Sequence, residues 1–288
     1  MDHYNRIQHA ITFIEQNLQT ELTITEIASH AFFSAFHFQR LFQAISGFTV
    51  HEYIRKRRLS EAATVLKETN SSILDIAISF QYGSQEAFSR AFDSYFGISP
   101  AKYRKSDTDI TKQFPLNFLD FSTSTGREIF MNKPIIMQLE TNLIYGYEYK
   151  TNLNNEKHYE DIPGFYQHFG MNEYFLRISH KKRPAFSYGI STNFEDDGEF
   201  SFIVGEEVHQ FAEEAESGFV QVELPAGTYA MFVVKDSVQQ TRDYIYGTWL
   251  PQSKYERREG PDFEITDVCH SIFPHDMKIE IYIPVQLY

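Results

Sequence analysis

Apolar residues recur at helical spacing through the first hundred residues and alternate like strands after about residue 130. Ile7, Ala10, Ile11, Ile14 and Leu18 lie three and four positions apart, which predicts a helix over about 4–18. Capping pairs such as Thr23-x-x-Glu26 and glycine stops such as Gly47 delimit further short helices. Six further helices are predicted to begin near residues 24, 35, 50, 73, 85 and 100, so the segment is predicted to be all-α.

The helical segment contains an internal repeat at an offset of 50 residues. Residues 34–42 are echoed by residues 84–92, with Ser, Phe, Arg and Phe in register. Each copy follows a short apolar helix, so the pattern predicts two helix-turn-helix units. In such a unit the second helix enters the major groove of DNA.

Helical spacing gives the second helix of each pair a core face and an outward face. A single outward arginine is usually only solvated, whereas two in register with the whole repeat favour DNA contact. Gln, Glu and Arg are side chains that bind base edges, and Phe36 fits a core position equally well. The outward candidates are Phe36, Gln39 and Arg40 in the first copy, and Gln85, Glu86 and Arg90 in the second.

Charge is unevenly distributed. The chain carries a net −13, yet residues 1–105 hold 11 basic against 10 acidic residues and the rest hold 15 against 29. The run Arg55–Arg58 lies between the two helix pairs, and Arg55 and Arg58 are therefore candidates for phosphate contact. The acidic half is predicted to have a different task from the N-terminal half.

The second half predicts an α+β domain. Helices are predicted at about 159–169 and 238–249, the second capped by Ser237. The order is strand, helix, strands, and then the same again, which predicts two similar halves with a cleft between them. The predicted strands, rich in aromatic and β-branched residues, are 135–139, 185–190, 200–204, 219–224, 229–234, 263–267 and 279–284.

Several chemistries are not indicated. The 11 histidines are scattered and Cys269 is the only cysteine, so we expect no metal site and no cofactor. No phosphate-binding loop or nucleophile elbow occurs. No secretion signal or apolar run long enough for a membrane span is found, and a cytoplasmic protein is expected.

The N-terminal segment resembles the AraC/XylS transcription regulators. The resemblance covers about 7–105 and implies two helix-turn-helix units joined by a long helix and bound to successive major-groove segments. It places base contacts at the six outward candidates named above and implies RNA polymerase as a further partner. The family's usual Gly-Phe is replaced by Gln81-Tyr82, so the second turn is expected to differ. The matching residues include Phe38–Phe42, Gly47, Tyr53–Arg55, Phe88–Arg90, Phe96–Pro100 and Tyr103-Arg104.

The C-terminal segment, about 130–288, resembles the GyrI-like effector-binding domains of Rob-type AraC regulators. The resemblance implies an aromatic pocket between the two halves, with Glu264 as the glutamate that faces organic cations. The matching residues are Leu224–Phe232, Trp249–Pro251, Pro261–Glu264 and Ile281–Val285.

The residues themselves leave the effector site open. Glu264 alternates with Phe263 and Ile265, so it faces away from an apolar surface, either into solvent or into a pocket. Trp249 is either a structural core residue or a stacking wall for a flat or cationic ligand. Tyr147 and Tyr229 are further candidates for that wall, although a half-exposed strand over 145–149 explains Tyr147 as well.

The sequence therefore predicts a DNA-binding regulator controlled by a small effector, cationic or aromatic. The expected organisation is a DNA-binding domain at 1–106, a linker at 107–129 and an effector domain at 130–288. The alternatives for the C-terminal domain are a hydrolase of reactive small molecules, with Glu264 as general base, and a protein-docking module. The first helix pair is expected to supply more of the DNA affinity and the second to adjust selectivity.

Overall fold

A computed structural model describes residues 3–119, 133–153, 157–272 and 275–287, and the chain divides into two compact units, Met1–Gly126 and Arg127–Tyr288. Residues 120–129 of the predicted linker and residues 130–132 lie outside the described part. In the described part of the first unit, seven helices match the predicted ones: α1 (His3–Gln16), α2 (Ile24–His30), α3 (Ala35–Ser46), α4 (Val50–Glu68), α5 (Ile73–Ser79), α6 (Gln85–Phe96) and α7 (Pro100–Lys105).

The capping residues fix where these helices begin and end. Each side-chain cap accepts a hydrogen bond from the amide three residues later, which would otherwise lack a partner in the first turn. Gly47 and Gly97 end α3 and α6 in the left-handed conformation, at φ of 74° and 71°. The capping side chains are Thr23, Ser34, Thr49, Ser72 and Ser84.

Two separate hydrophobic cores lie under the two helix pairs, and α4 contributes to both. The first half of α4 places Val50, Tyr53 and Ile54 in the core formed with α1, α2 and α3. Its second half places Leu59 and Leu66 in the core formed with α5, α6 and α7. Helix α4 therefore sets the distance between α3 and α6.

Residues 107–119, predicted as part of a linker, lie against the helices of the first unit. Ile110 packs on the second core, while Phe118 is fully buried in the first. The backbone amide of Gln113 donates to Ser60 Oγ at 2.9 Å, and that of Phe118 donates to Gln8 Oε1 at 2.7 Å. The segment thus joins both cores along α4.

The second unit is built on an antiparallel sheet in the order β1-β6-β9-β8-β3-β4-β2-β5, with β7 paired to β9. Helix α8 (Lys157–Met171) and helix α9 (Val238–Tyr244) cross one face, and α9 continues through a π-helical segment, Ile245–Trp249, into α10 (Leu250–Gln252). The strands are β1 (Ile135–Leu139), β2 (Asn142–Asn152), β3 (Phe186–Thr192), β4 (Glu199–Val208), β5 (Phe219–Leu224), β6 (Gly227–Val233), β7 (Tyr255–Arg257), β8 (Asp262–Asp267) and β9 (Ile279–Leu287).

The predicted two halves are present. The first half consists of β2, α8, β3 and β4, and the second half consists of β6, α9, β8 and β9 in the same order. The two halves meet where β3 pairs with β8. The long strand β2 confirms the alternative of a strand over 145–149, although β2 was not among the predicted strands, and β7 was missed. Residues Phe263 and Tyr188 face a core on the side of the sheet away from the helices, and Phe202 and Phe169 pack on the helix side.

Candidate DNA-binding and effector-binding sites

The outward face of α6 is open. Gln85, Glu86 and Arg90 are exposed, while Phe88 and Phe92 on the opposite face are fully buried. The pKa of the Glu86 carboxyl is lowered by a hydrogen bond from its own backbone amide and by the Ser84 hydroxyl. Glu86 is thus held as an anion at the helix N-terminus, and Arg90 is the cation that α6 presents one turn further on.

The outward face of α3 is not open, which corrects the predicted exposure of its side chains. Phe36, Gln39 and Arg40 are only 9%, 6% and 5% exposed, so both faces of this part of α3 are covered. The Arg40 guanidinium lies 5.6 Å from the centre of the Phe36 ring. Helical spacing identifies the face that packs on the helix's own core and carries no information about a second covering surface.

The basic run on α4 is mostly engaged within the first unit. Arg55 is exposed as predicted, but Arg58 donates to the carbonyls of Leu18 at 2.9 Å and Thr20 at 2.7 Å. The carbonyls that follow the end of α1 attract a cation, so Arg58 stabilises the fold there. Its predicted phosphate contact is therefore not supported by its observed geometry.

Both helix-turn-helix turns pass through the left-handed region at the same place. Phe32 has φ of 55° and Gln81 has φ of 65°, each four residues after the buried Ala28 or Ala77. Gln81 therefore adopts the conformation that a glycine takes without strain, and the extra residue of the second turn follows it. The Gln81 side chain also donates to the carbonyl of Gln19 at 2.6 Å, a contact between the second turn and the connection from α1 to α2 that the sequence did not indicate.

The candidate effector site lies at the centre of the C-terminal sheet. One row of residues crosses the helix side in register from β2 to β6, with Glu264 at the junction between the halves. Both Tyr147 and Glu264 belong to this row. It consists of Tyr147, Val204, Gly189, Glu264, Ile281 and Phe232.

Glu264 is buried and bound by both helices. It is 3% exposed, so the alternative that it faces solvent is wrong. The Tyr166 hydroxyl of α8 donates to Oε1 at 3.0 Å, and the Arg242 Nη2 of α9 donates to Oε2 at 3.3 Å. Burial and the negative charge of Glu264 raise the pKa of Tyr166 well above its usual value, which keeps this hydroxyl a donor.

A second buried acid extends this cluster. Asp262 is fully buried and accepts from Arg257 Nη2 at 2.8 Å, while its other oxygen is bound by the Tyr246 hydroxyl. Arg242 Nη1 lies 3.6 Å from that oxygen. Burial alone would lower the pKa of Arg242, but the charges of Glu264 and Asp262 outweigh it and raise the pKa. Sequence reasoning missed Arg242; the alternation of Asp262 with Glu264 was the available signal.

The three aromatic candidates occupy different places. Trp249 is partly buried and packs at 5.0 Å on Phe232, which lies two strands from Glu264, or roughly 10 Å away. Tyr147, at the opposite end of the row, stacks on Tyr174 at 4.5 Å. Tyr229 belongs to the core on the other face of the sheet, so it cannot line a site with Glu264. The predicted single aromatic wall is therefore divided.

Among the described residues, no group of three or more His, Cys, Asp or Glu side chains is arranged to hold a metal ion. Within those same ranges, every helix is too short or too polar to cross a membrane.

Comparison with known families gives two matches along the chain. Residues 135–285, just over half of the chain, match the Cass2 model, described as integron-associated effector binding protein. Residues 27–106 match a helix-turn-helix domain model.

Individual proteins are similar to this chain over its whole length or over one part of it. The chain is 27% identical over 299 residues to the transcriptional regulator Rob of Salmonella typhimurium, covering 99% of this chain and 100% of the relative. It is 44% identical over 102 residues to the transcriptional activator AarP of Providencia stuartii, covering 35% of this chain and 76% of that protein. A solved integron cassette protein from Vibrio cholerae is 19% identical with a TM-score of 0.39, covering 56% of this chain and 100% of that one.

Proposed function

The chain belongs to the AraC-type transcription regulators of the Rob kind and carries a C-terminal domain of the Cass2 family, and from this membership we propose that it binds a specific operator through α3 and α6 under the control of a small molecule held by the C-terminal domain. Membership of this family supports the general role of a DNA-binding transcription regulator. The residues that contact DNA and the effector are the new part of the proposal.

The open outward face of α6 is the observation that carries the proposal. Gln85, Glu86 and Arg90 point away from a closed core and are free to meet base edges, since α6 is fixed by Phe88 and Phe92 behind them. Arg90 is suited to a bidentate bond with guanine. In this proposal Arg55, exposed on α4, contacts phosphate.

Helix α3 is the second part of the DNA interface in this proposal. Its outward side chains Phe36, Gln39 and Arg40 are buried, so base contact by α3 requires that they become accessible. The proposed binding therefore has two stages, in which α6 engages the first groove and α3 the next after its outward face is uncovered. In this proposal the effector favours the state in which both α3 and α6 are bound to DNA, and RNA polymerase is the partner that uses this state.

We assign the effector site to the helix side of the C-terminal sheet, around Trp249 and the central row. The partly exposed Trp249 lies in a π-helical segment, a local irregularity that is frequent at functional sites. An enzymatic role through Glu264 is not proposed, because Arg242 binds this carboxylate as a counter-ion, which lowers its basicity, and Tyr166 holds its other oxygen.

The proposal is tested by selecting a binding site for the full chain from random DNA and then measuring affinity by fluorescence anisotropy. Arg90→Ala is expected to weaken binding by ~1–3 kcal/mol and to relax preference at one base step. Lys235→Ala is the matched control, since it removes the same charge from an exposed position in the C-terminal unit. Equal small effects of the two variants, with no change in sequence preference, would contradict the assignment of α6 to base contact.

A further inference from the structure

Glu264 belongs to a buried cluster whose charges already balance. The carboxylates of Asp262 and Glu264 face the guanidinium groups of Arg242 and Arg257, and all four side chains are at most 5% exposed. Arg242 stands between the two acids, at 3.3 Å from a Glu264 oxygen and 3.6 Å from an Asp262 oxygen. The formal sum of these four groups is zero, so the site has no excess negative charge to attract a cation.

The space around the Glu264 carboxylate is also filled. Gly189 lies directly opposite on β3, where an added Cβ would be 2.1 Å from the Tyr166 hydroxyl and 2.7 Å from the Phe202 ring. Tyr166 therefore occupies the room that the absent side chain of Gly189 leaves. With Tyr166 on one oxygen and Arg242 on the other, a cationic ligand that pairs with Glu264 has to compete with these two side chains for the carboxylate.

Displacing Arg242 would leave a buried guanidinium with Asp262 as its remaining acid, at a distance longer than a hydrogen bond. A desolvated charge that loses its partner is strongly unfavourable, and two cations side by side add repulsion. A cationic ligand at Glu264 would meet both costs, whereas an uncharged ligand beside the cluster meets neither.

We propose that Arg242 is the specificity-determining residue of the effector site: it serves as an internal cation for Glu264 and so restricts the site to uncharged aromatic ligands. The ligand then packs on the partly buried rings of Trp249 and Tyr255, which stack at 6.1 Å, and extends toward Glu264 along the row that begins at Phe232, the residue that contacts Trp249 at 5.0 Å. This inference rests on the proposed effector site in the C-terminal domain.

The experiment uses the full chain and two probes of one shape that differ by a single charge, 3-tert-butylphenol and the 3-hydroxyphenyltrimethylammonium ion. Trp249 is the only tryptophan of the chain, so its fluorescence reports binding next to the proposed site. Dissociation constants from fluorescence titration are checked by calorimetry. The ratio of the two constants is the readout, since a purely structural defect weakens both probes together.

The wild-type chain is expected to bind the uncharged probe at least about tenfold more tightly than the cation. Arg242→Met removes the internal cation and keeps an apolar stem, and it is expected to reverse this preference because Glu264 is left without its counter-ion. Arg242→Lys keeps the charge and is the matched control, with the wild-type preference. Glu264→Gln in the Arg242→Met background is expected to abolish the gained affinity for the cation.

Wild-type and Arg242→Met chains with the same preference would overturn the inference. So would a wild-type chain that binds the cation tightly and loses that binding in Glu264→Gln, a variant that tests the inference even if Arg242→Met does not fold. An Arg242→Met chain that folds but binds neither probe also counts against it. Failure of the proposed regulatory function gives a different result. In that case no bound ligand changes operator binding, while the preference between the two probes still depends on Arg242.

Discussion

Truncation of Phe118 should destabilise the DNA-binding unit even though this residue lies in the segment between the two predicted domains. Its ring is fully buried and lies 5.5 Å from that of Phe42 in the first core. A phenylalanine buries roughly 150–250 Å², and at about 25 cal/mol per Å² its burial contributes on the order of 4–6 kcal/mol. Phe118→Ala retains the Cβ and leaves a cavity, so we expect a loss of about 3–5 kcal/mol.

The effect is measured most directly by hydrogen exchange, because the chain has two units and its thermal unfolding need not be a single transition. For amides of α1 and α4 that exchange through unfolding of this unit, a loss of this size increases the exchange rate roughly 150- to 5000-fold. Amides of the C-terminal sheet provide an internal reference.

Phe114→Ala is the matched control. It removes the same ring from the same segment at a position that is 73% exposed, and we expect a change within about 0.5 kcal/mol. If both variants give the same small change, the segment 107–119 is a linker and does not complete the core. The reasoning from burial would then be refuted.

Three further predictions concern the remaining features. Arg40→Ala is expected to cost more operator affinity than Arg90→Ala, each about 1–3 kcal/mol, because α6 also presents the anionic Glu86, whose charge opposes that of DNA; anisotropy titrations giving the reverse order would contradict it. Phe32→Asn should stabilise the chain by up to ~1 kcal/mol, since Phe32 is 71% exposed and held at φ of 55°, which Asn tolerates better; a lower unfolding temperature would show that the ring itself contributes. Burial raises the pKa of the Glu206 carboxyl despite its 2.8 Å contact with Lys181. The folded chain therefore keeps the carboxyl proton to a higher pH than the unfolded chain, and it loses stability as pH rises through the raised pKa. Glu206→Gln should therefore raise the unfolding temperature at neutral pH and change it little in acid, and an equal shift at both would disprove the assignment.

Local signals in the sequence predicted the helices well because each is delimited within its own few residues. Ser84 and Gly97 fix both ends of α6. The four-residue spacing of Phe88 and Phe92 identifies its buried face and therefore its exposed face. The same reasoning failed on the outward face of α3, because the burial of Arg40 depends on a surface that no local pattern in α3 encodes.

The proposed effector site shows the same limit. Alternation along β8 placed Glu264 opposite Phe263, which is confirmed, but it could not decide what covers the carboxylate. That depends on Tyr166 and Arg242, which lie 98 and 22 residues away along the chain. The position of Tyr229 on the other face was equally inaccessible, because it follows from the register of β6 against β9.

The most direct test of the account is a hydroxyl-radical footprint of the full chain on its selected operator, at one chain per site. Two helix-turn-helix units joined by α4 should protect two segments centred about one helical turn, or roughly 10 base pairs, apart. Arg90→Ala should weaken protection of one segment and Arg40→Ala that of the other. A single protected segment that neither substitution alters would contradict operator binding by α3 and α6.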